Sequence, residues 1–301
     1  MKHTKAIELI LSFILIAVML VGCNGGTEDD GTTTDATTTT TANTQSEQQD
    51  PPTDEITITF NGNGYTASQT GVLSANGNIL TITEPGRYRL SGTLDNAQLR
   101  VAVEKNEIVE LVFAGINITN QSSAPLYIES ADKVFIELAS GTENFLTDAK
   151  TYLFPEGGDK PNACLYSSED LTFSGTGALT VKANYNNGIG SKNDLKIEDG
   201  NITVEAAKNA LKGNQSVKIK GGTVTLKGMD GIKSDEVVEG EGIVEITGGV
   251  VSIVASDDGI QAYNGITIAN GANVTVDAAD QDLNCDNAAN ISVASDALTS
   301  K

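Results

Sequence analysis

Between Asn184 and Ser292 the chain repeats one arrangement of polar and apolar positions five times. The segments are NNGI (Asn186–Ile189), KNAL (Lys208–Leu211), MDGI (Met229–Ile232), DDGI (Asp257–Ile260) and DQDL (Asp280–Leu283). Each sets a pair that is polar in all but Met229, then a residue that is small in four of the five, then an aliphatic anchor. Two short β-like runs joined by a Gly-containing turn follow. Thus LKI-EDG-NITV (Leu195–Val204) aligns with VKI-KGG-TVTL (Val217–Leu226), VEI-TGG-VVSI (Val244–Ile253) and ITI-ANG-ANVTV (Ile266–Val276). Successive anchors lie 22, 21, 28 and 23 residues apart, a period that belongs to solenoids.

Residue type decides which solenoid. A leucine-rich repeat needs Leu at fixed positions and usually a helical return, whereas this stretch is rich in Val, Ile, Thr, Asn and Gly. Those residues suit pleated strands and tight turns. Three short strands per coil of about 22 residues predict an all-β parallel β-helix, whose coils pair at about 4.8 Å. Ile189, Leu211, Ile232, Ile260 and Leu283 then form one inward ladder. An antiparallel sandwich accounts for the alternation but not for the fixed five-fold register.

Upstream, ITITF (Ile56–Phe60), ILTIT (Ile79–Thr83) and RYRL (Arg87–Leu90) read as strands broken by Asn-Gly turns. They lack the polar pair and are expected to form an N-terminal cap. The coils are expected to begin with LRVAV (Leu99–Val103), VELVFAGINIT (Val109–Thr119), PLYIES (Pro125–Ser130) and VFIEL (Val134–Leu138), and to continue through ACLYS (Ala163–Ser167), LTF (Leu171–Phe173) and ALTV (Ala178–Val181). Gly141–Pro161 reads as one long insertion, of a length that is usually functional.

The first 54 residues are of another kind. Residues 1–22 join a basic start to an apolar run from Leu9 to Val21, the pattern of a secretory signal. Leu20-Val21-Gly22-Cys23 resembles the bacterial lipobox, which implies lipidation of Cys23 and a membrane anchor through it. Residues 23–54 are Thr-rich and polar and cannot bury enough surface to fold, so they read as a disordered linker. That leaves 55–301 as the folded domain, in an extracellular, cell-surface protein. Cys164 and Cys285 are expected about five coils apart, on the order of 24 Å, too far for a disulfide.

Composition adds a cation. The polar pairs stack as Asn186, Lys208, Met229, Asp257, Asp280 and as Asn187, Asn209, Asp230, Asp258, Gln281. A second column, a few residues on, reads Asn193, Asn214, Asp235, Asn264 and Asp286. Carboxylates about 4.8 Å apart repel unless a cation lies between them. Ca²⁺ takes six to eight oxygens, which two adjacent coils are able to supply. The candidate ligands are Asp230, Asp235, Asp257, Asp258, Asp280, Asp282 and Asp286, with Asn186 and Asn187. No His follows His3 and Cys is too sparse for zinc. Hydrogen-bonded Asn/Asp ladders are the plainer alternative.

Thr81–Leu94, Pro125–Asp148, Asp159–Val181 and the turns DGIKSD (Asp230–Asp235) and DDGIQA (Asp257–Ala262) together resemble a known family. It is that of the calcium-binding, carbohydrate-binding β-helix proteins on the surface of cellulolytic bacteria, similar in fold to pectate lyases. The resemblance covers about residues 56–293. It implies a right-handed helix, bound Ca²⁺, and plant cell-wall polysaccharide as partner, both cellulose and acidic pectin-type chains. KNAL departs from the pattern by placing Lys208 where an acid is expected.

The formal net charge of −21 becomes −22 once the leader is removed with Lys2, Lys5 and Glu8. Such a surface excludes nucleic acid as partner. An acidic polysaccharide then needs bridging Ca²⁺ or a basic strip, for which Lys192, Lys212 and Lys233 are the candidates, beside Lys208. There is no Trp; Tyr152, Phe154, Tyr166, Tyr185 and Tyr263 are the rings on which sugars stack in this reading. A lyase needs a strong base beside the calcium. The only arginines, Arg87, Arg89 and Arg100, lie outside the acidic coils. A non-catalytic binding protein is therefore expected, with a calcium-dependent polygalacturonate lyase using a Lys base as the alternative. Hydrolysis by paired carboxylates and a passive spacer or adhesin are the remaining classes.

Overall fold

The computed structural model describes residues 54–154 and 160–301. The expected leader, Cys23 and nearly all of the linker lie outside them. Parallel strands stack into a β-solenoid of about nine turns. The aliphatic anchors register as the sequence pairs them: Ile189 on Leu211, Leu211 on Ile232, Ile232 on Ile260 and Ile260 on Leu283. The ladder also runs upstream through Leu165, Leu126, Leu99 and Leu80. These rungs form a ten-stranded face.

The two β-like runs of each repeat build the other faces. Leu195, Val217, Val244 and Ile266 stack on one; Val204, Leu226, Ile253 and Val276 stack on the other. The corner between them is the Gly-containing turn. Gly222 and Gly249 both hold φ at 82° there, and a Cβ on Gly222 would lie 2.5 Å from the Gly200 carbonyl. Positive φ and close backbone approach both select glycine. In the first coils there is no such break, and Ile108–Thr119 runs through the corner as a single strand paired with Lys133–Leu138 and then with Glu143–Thr147.

Two expectations change. Ile56–Gly62 and Gly86–Leu94 already pair in parallel, so the coils begin there and not at Leu99. The cap is reduced to the antiparallel additions Tyr65–Ala67 and Leu73–Asn76. The supposed insertion is also shorter, because Glu143–Thr147 is a rung between Ile108–Thr119 and Ala178–Ala183. Its inward Asn144 hid the alternation. The Asn144 side chain accepts from the Gly115 and Ile116 amides at 2.9 and 3.0 Å and donates to the Ala178 carbonyl at 2.9 Å, satisfying the backbone at the Gly115 bend.

The inward ladders predict where the protein is fragile. Ile232 is fully buried between Leu211 and Ile260, so Ile232→Ala is expected to cost about 2–5 kcal/mol by transfer and cavity effects. Thr225→Ala, on an exposed outward position, should stay within about 0.5 kcal/mol. Urea unfolding of both variants checks this; equal losses would remove the argument that the inward ladder carries the stability.

Candidate functional site

The polar pairs form the corner that leads into the ten-stranded face. Their second members stack as expected, Asn187, Asn209, Asp230 and Asp258, and all four are buried, at 1–3% exposure. In the amide half of the ladder Asn209 Nδ2 donates to Asn187 Oδ1 at 2.9 Å and Asn187 Nδ2 to Asn162 Oδ1 at 3.4 Å, while Asn209 Oδ1 is buried with no hydrogen-bond partner among the described residues. Within the carboxylate half no such side-chain pairing is available, since ionised carboxylates only accept. Asp230 Oδ2 lies 3.5 Å from Lys233 Nζ, and Asn284 Nδ2 donates to Asp258 Oδ2 at 2.6 Å. Asp258 Oδ1 is buried with no hydrogen-bond partner among the described residues.

The first members of the same pairs close the site from outside. Asp257, Asp258 and Asp280 each present a carboxylate oxygen within 4.8 Å of the others. Partial desolvation, and then the fields of Asp258, Asp230 and Asp280, push the Asp257 carboxyl above its ordinary range, with Lys233 opposing. A set of hard oxygens with one buried acceptor unfilled suits a divalent cation of the calcium class.

Other expected ligands lie elsewhere. Asp235 is exposed and pairs with Lys212 at 2.8 Å. Asp282 accepts from the Ser300 hydroxyl. Asp286 is exposed and is not part of the compact carboxylate group. Asn186 has a buried Oδ1 without a partner among the described residues. Asn186 and Asn187 sit three rungs, about 14 Å, from Asp257 and Asp258. The second column was misaligned by one at two places: its members are Lys192, Asn214, Asp235, Tyr263 and Asp286, and Asn193 and Asn264 fall one position later.

Lys212 and Lys233 do stack outward on the ten-stranded face. They are not a free basic strip, because Asp235 and Asp230 each pair with one of them and Gln261 also accepts from Lys233. Lys192 lies beside the Tyr166 ring, its Nζ 5.9 Å from the centroid. Tyr263 is 37% exposed and sits in the Asp235–Asp286 column.

The aromatic residues divide. Tyr152 is 5% exposed and packs on Tyr185 with ring centroids 4.1 Å apart. Its hydroxyl donates to Asp148 Oδ2 at 2.7 Å, so it is packing and not a sugar platform. Phe154 and Tyr185 are half-buried against it. The outward-facing residues that sequence reasoning missed are Arg100, half-buried, and Tyr127, which is 4% exposed. Aligning Leu99-Arg100, Leu126-Tyr127 and Leu165-Tyr166 as anchor plus outward neighbour would have found them, and the register does stack all three pairs.

Asp148 itself is buried, and burial pushes its carboxyl above the ordinary range although Tyr152 and the Asn184 and Tyr185 amides hydrogen-bond it. A raised folded pKa means that the native state holds the proton longer than the unfolded chain. The associated stability is present at acid pH and lost as pH rises through the folded value. In Asp148→Asn the new amide donates to the Tyr152 oxygen, whose own proton turns to the Ala163 carbonyl at 3.1 Å. Thermal melts across pH 4–8 should show the variant losing less stability than the wild type as pH rises. An unchanged difference across that range would refute the reading.

Comparison with known proteins follows this geometry. The model of a family described as carbohydrate-binding domain-containing proteins matches residues 76–301. A protein of that description from Acetivibrio thermocellus is 42% identical over 237 residues, 78% of this chain and 82% of its own. A solved structure, described as a polysaccharide lyase-like protein from C. thermocellum in a gadolinium derivative, superposes with a TM-score of 0.78 at 45% identity, covering 82% of this chain and 99% of that one.

Proposed function

The chain belongs to the carbohydrate-binding domain family, and from that premise we propose that it is a calcium-binding, non-catalytic receptor for plant cell-wall polysaccharide. The observation that carries the cation is the Asp257/Asp258/Asp280 group, with Asp258 Oδ1 buried and unfilled. Those three residues would hold Ca²⁺. An ion held by them would offset their mutual repulsion and supply Lewis-acid attraction for an acidic sugar carboxylate. The solved relative is described as a gadolinium derivative, and gadolinium, like calcium, is a hard ion that seeks oxygen. At a net charge of −22 without the leader, a pectin-type chain meets long-range repulsion that such a bridge removes locally. Neutral chains such as cellulose need no bridge. The LVGC sequence at Cys23 supports lipidation there and placement at the cell surface.

Binding is favoured over lyase chemistry by the state of the lysines. A base for proton abstraction needs a depressed pKa. Lys233 instead sits 3.5 Å from the Asp230 carboxylate, and Lys212 sits 2.8 Å from Asp235. Each lysine is thus engaged by a carboxylate of its own sheet rather than left open to a ligand.

Removing the ion tests the first half of the proposal. Saturating Ca²⁺ adds about 2.7 kcal/mol at a hundredfold excess over Kd. Chelator should therefore lower the melting temperature, and Asp257→Asn with Asp280→Asn should abolish the response. Unchanged melting together with no calcium by elemental analysis would sink it.

The second half is tested by incubation with polygalacturonate and Ca²⁺, which should bind the protein and release no unsaturated product. Turnover that disappears in Lys233→Ala would establish the lyase instead.

A further inference from the structure

The first rungs of the ten-stranded face carry a different set of outward residues. The outward column there reads Arg100, Tyr127, Tyr166 and Gly190 before Lys212 begins. Beside Arg100 and Tyr127 lies a groove of about 300 Å³, walled by Leu153 and Phe154. That volume is at the small end of ligand clefts, about 300–1,000 Å³, and gives room for one or two sugar rings.

We infer that this groove is a subsite for a neutral hexose unit of a polysaccharide, separate from the Asp257/Asp258/Asp280 cluster and independent of calcium. The inference deepens the proposed function and rests on it. Three features carry it. Arg100 and Glu129 both line the groove, paired at 3.2 Å. A sugar hydroxyl accepts from a guanidinium and donates to a carboxylate at once, whereas a uronate would meet the Glu129 charge. The guanidinium is also held in place: it lies 5.6 Å from the Tyr127 ring centroid, and Nη2 donates to Gln98 Oε1 at 3.3 Å. Arg100 Nε is buried without an acceptor among the described residues.

The third feature is the apolar wall. Leu153 is 72% exposed, the most exposed of the large apolar side chains among the described residues. It is not a loose tip, since its amide donates to the Ser122 carbonyl at 2.7 Å. Phe154 behind it packs on Tyr152 and Tyr185 at ring separations of 6.0 and 6.3 Å. A fixed, exposed apolar edge opposite a charge-neutral hydrogen-bonding pair matches a pyranose, whose C–H face is apolar and whose rim carries hydroxyls. Prior fixing of both walls lowers the ordering cost of binding.

Isothermal titration of the whole protein with cellohexaose in chelator, and with polygalacturonate in Ca²⁺, tests the assignment. Leu153→Asp and Arg100→Gln should each weaken cellohexaose by about tenfold or more, equivalent to about 1.4 kcal/mol. Calcium-dependent polygalacturonate binding should be unchanged. Asp257→Asn with Asp280→Asn should do the reverse. Leu153 is solvent-facing, so its variant should keep the wild-type melting temperature and serve if Arg100→Gln misfolds. Cellohexaose binding that survives Leu153→Asp, or a wild type that binds polygalacturonate but not cellohexaose, overturns the subsite and leaves the proposed function standing. A wild type that binds neither ligand overturns both.

Discussion

The spacing between rungs, about 4.8 Å in a parallel ladder, is the constraint from which the rest of this molecule follows. It forces each side chain to lie directly on its equivalent in the next coil, so every choice of residue is repeated along a column. Aliphatic residues gain by this, as the fully buried ladder from Leu99 to Ile260 shows. Amides tolerate it, because each has donor and acceptor, and Asn209 donates to Asn187 on the preceding rung. Carboxylates lose. A column of like charges is stable only where something of opposite charge is interleaved.

The outer surface obeys this rule almost throughout. Arg87 contacts Glu55, Glu110 and Glu137 at 3.1, 2.7 and 2.6 Å. Burial alone would lower its pKa, but the hydrogen bonds it donates to Glu137 and Glu110 outweigh it and hold the guanidinium firmly charged. Lys227 meets Glu205 on the preceding rung at 3.1 Å, and Lys212 meets Asp235 on the following one at 2.8 Å. Each exposed pair is worth little alone, about 0–1 kcal/mol, so their value lies in relieving repulsion. Asp257, Asp258 and Asp280 break the pattern. Lys233 is the cation that acts on Asp257, and it is already engaged by Asp230 and Gln261. An acidic cluster left short of cations on a surface that elsewhere interleaves them is the local argument for a metal.

Much of this was legible in the sequence, and the reason is the same spacing. Wherever the repeat kept its length, as from Ile189 to Ile232, the aliphatic ladder and the polar-pair column came out in true register. The second column lies three residues past each anchor, and Asn193 and Asn264 stand one place beyond it, after Lys192 and Tyr263; a neighbouring Asn fits the expected polar ladder better than the residue in register. The rung Glu143–Thr147 was lost because Asn144 stands inward and Phe145 outward, inverting the expected pattern. Arg100 and Tyr127 acquire meaning only from the Leu153–Phe154 wall, and that wall has no periodicity to read.

The chemistry of a solenoid therefore belongs at its irregularities. Identical coils can only repeat identical contacts, and a repeated contact satisfied by its own neighbours has nothing to offer a ligand. Two departures stand out here. In the acidic pairs, Asp257, Asp258 and Asp280 gather carboxylates in one place, and the buried Asp258 Oδ1 among them is unfilled. At Asp148–Phe154, residues outside the repeat bring Leu153 to the groove that Arg100 and Glu129 line from neighbouring rungs. The first departure changes charge and leaves the backbone path unaltered; the second changes the path and balances its charge. Their responses to chelator and to apolar substitution are separable for that reason, although one sheet carries both.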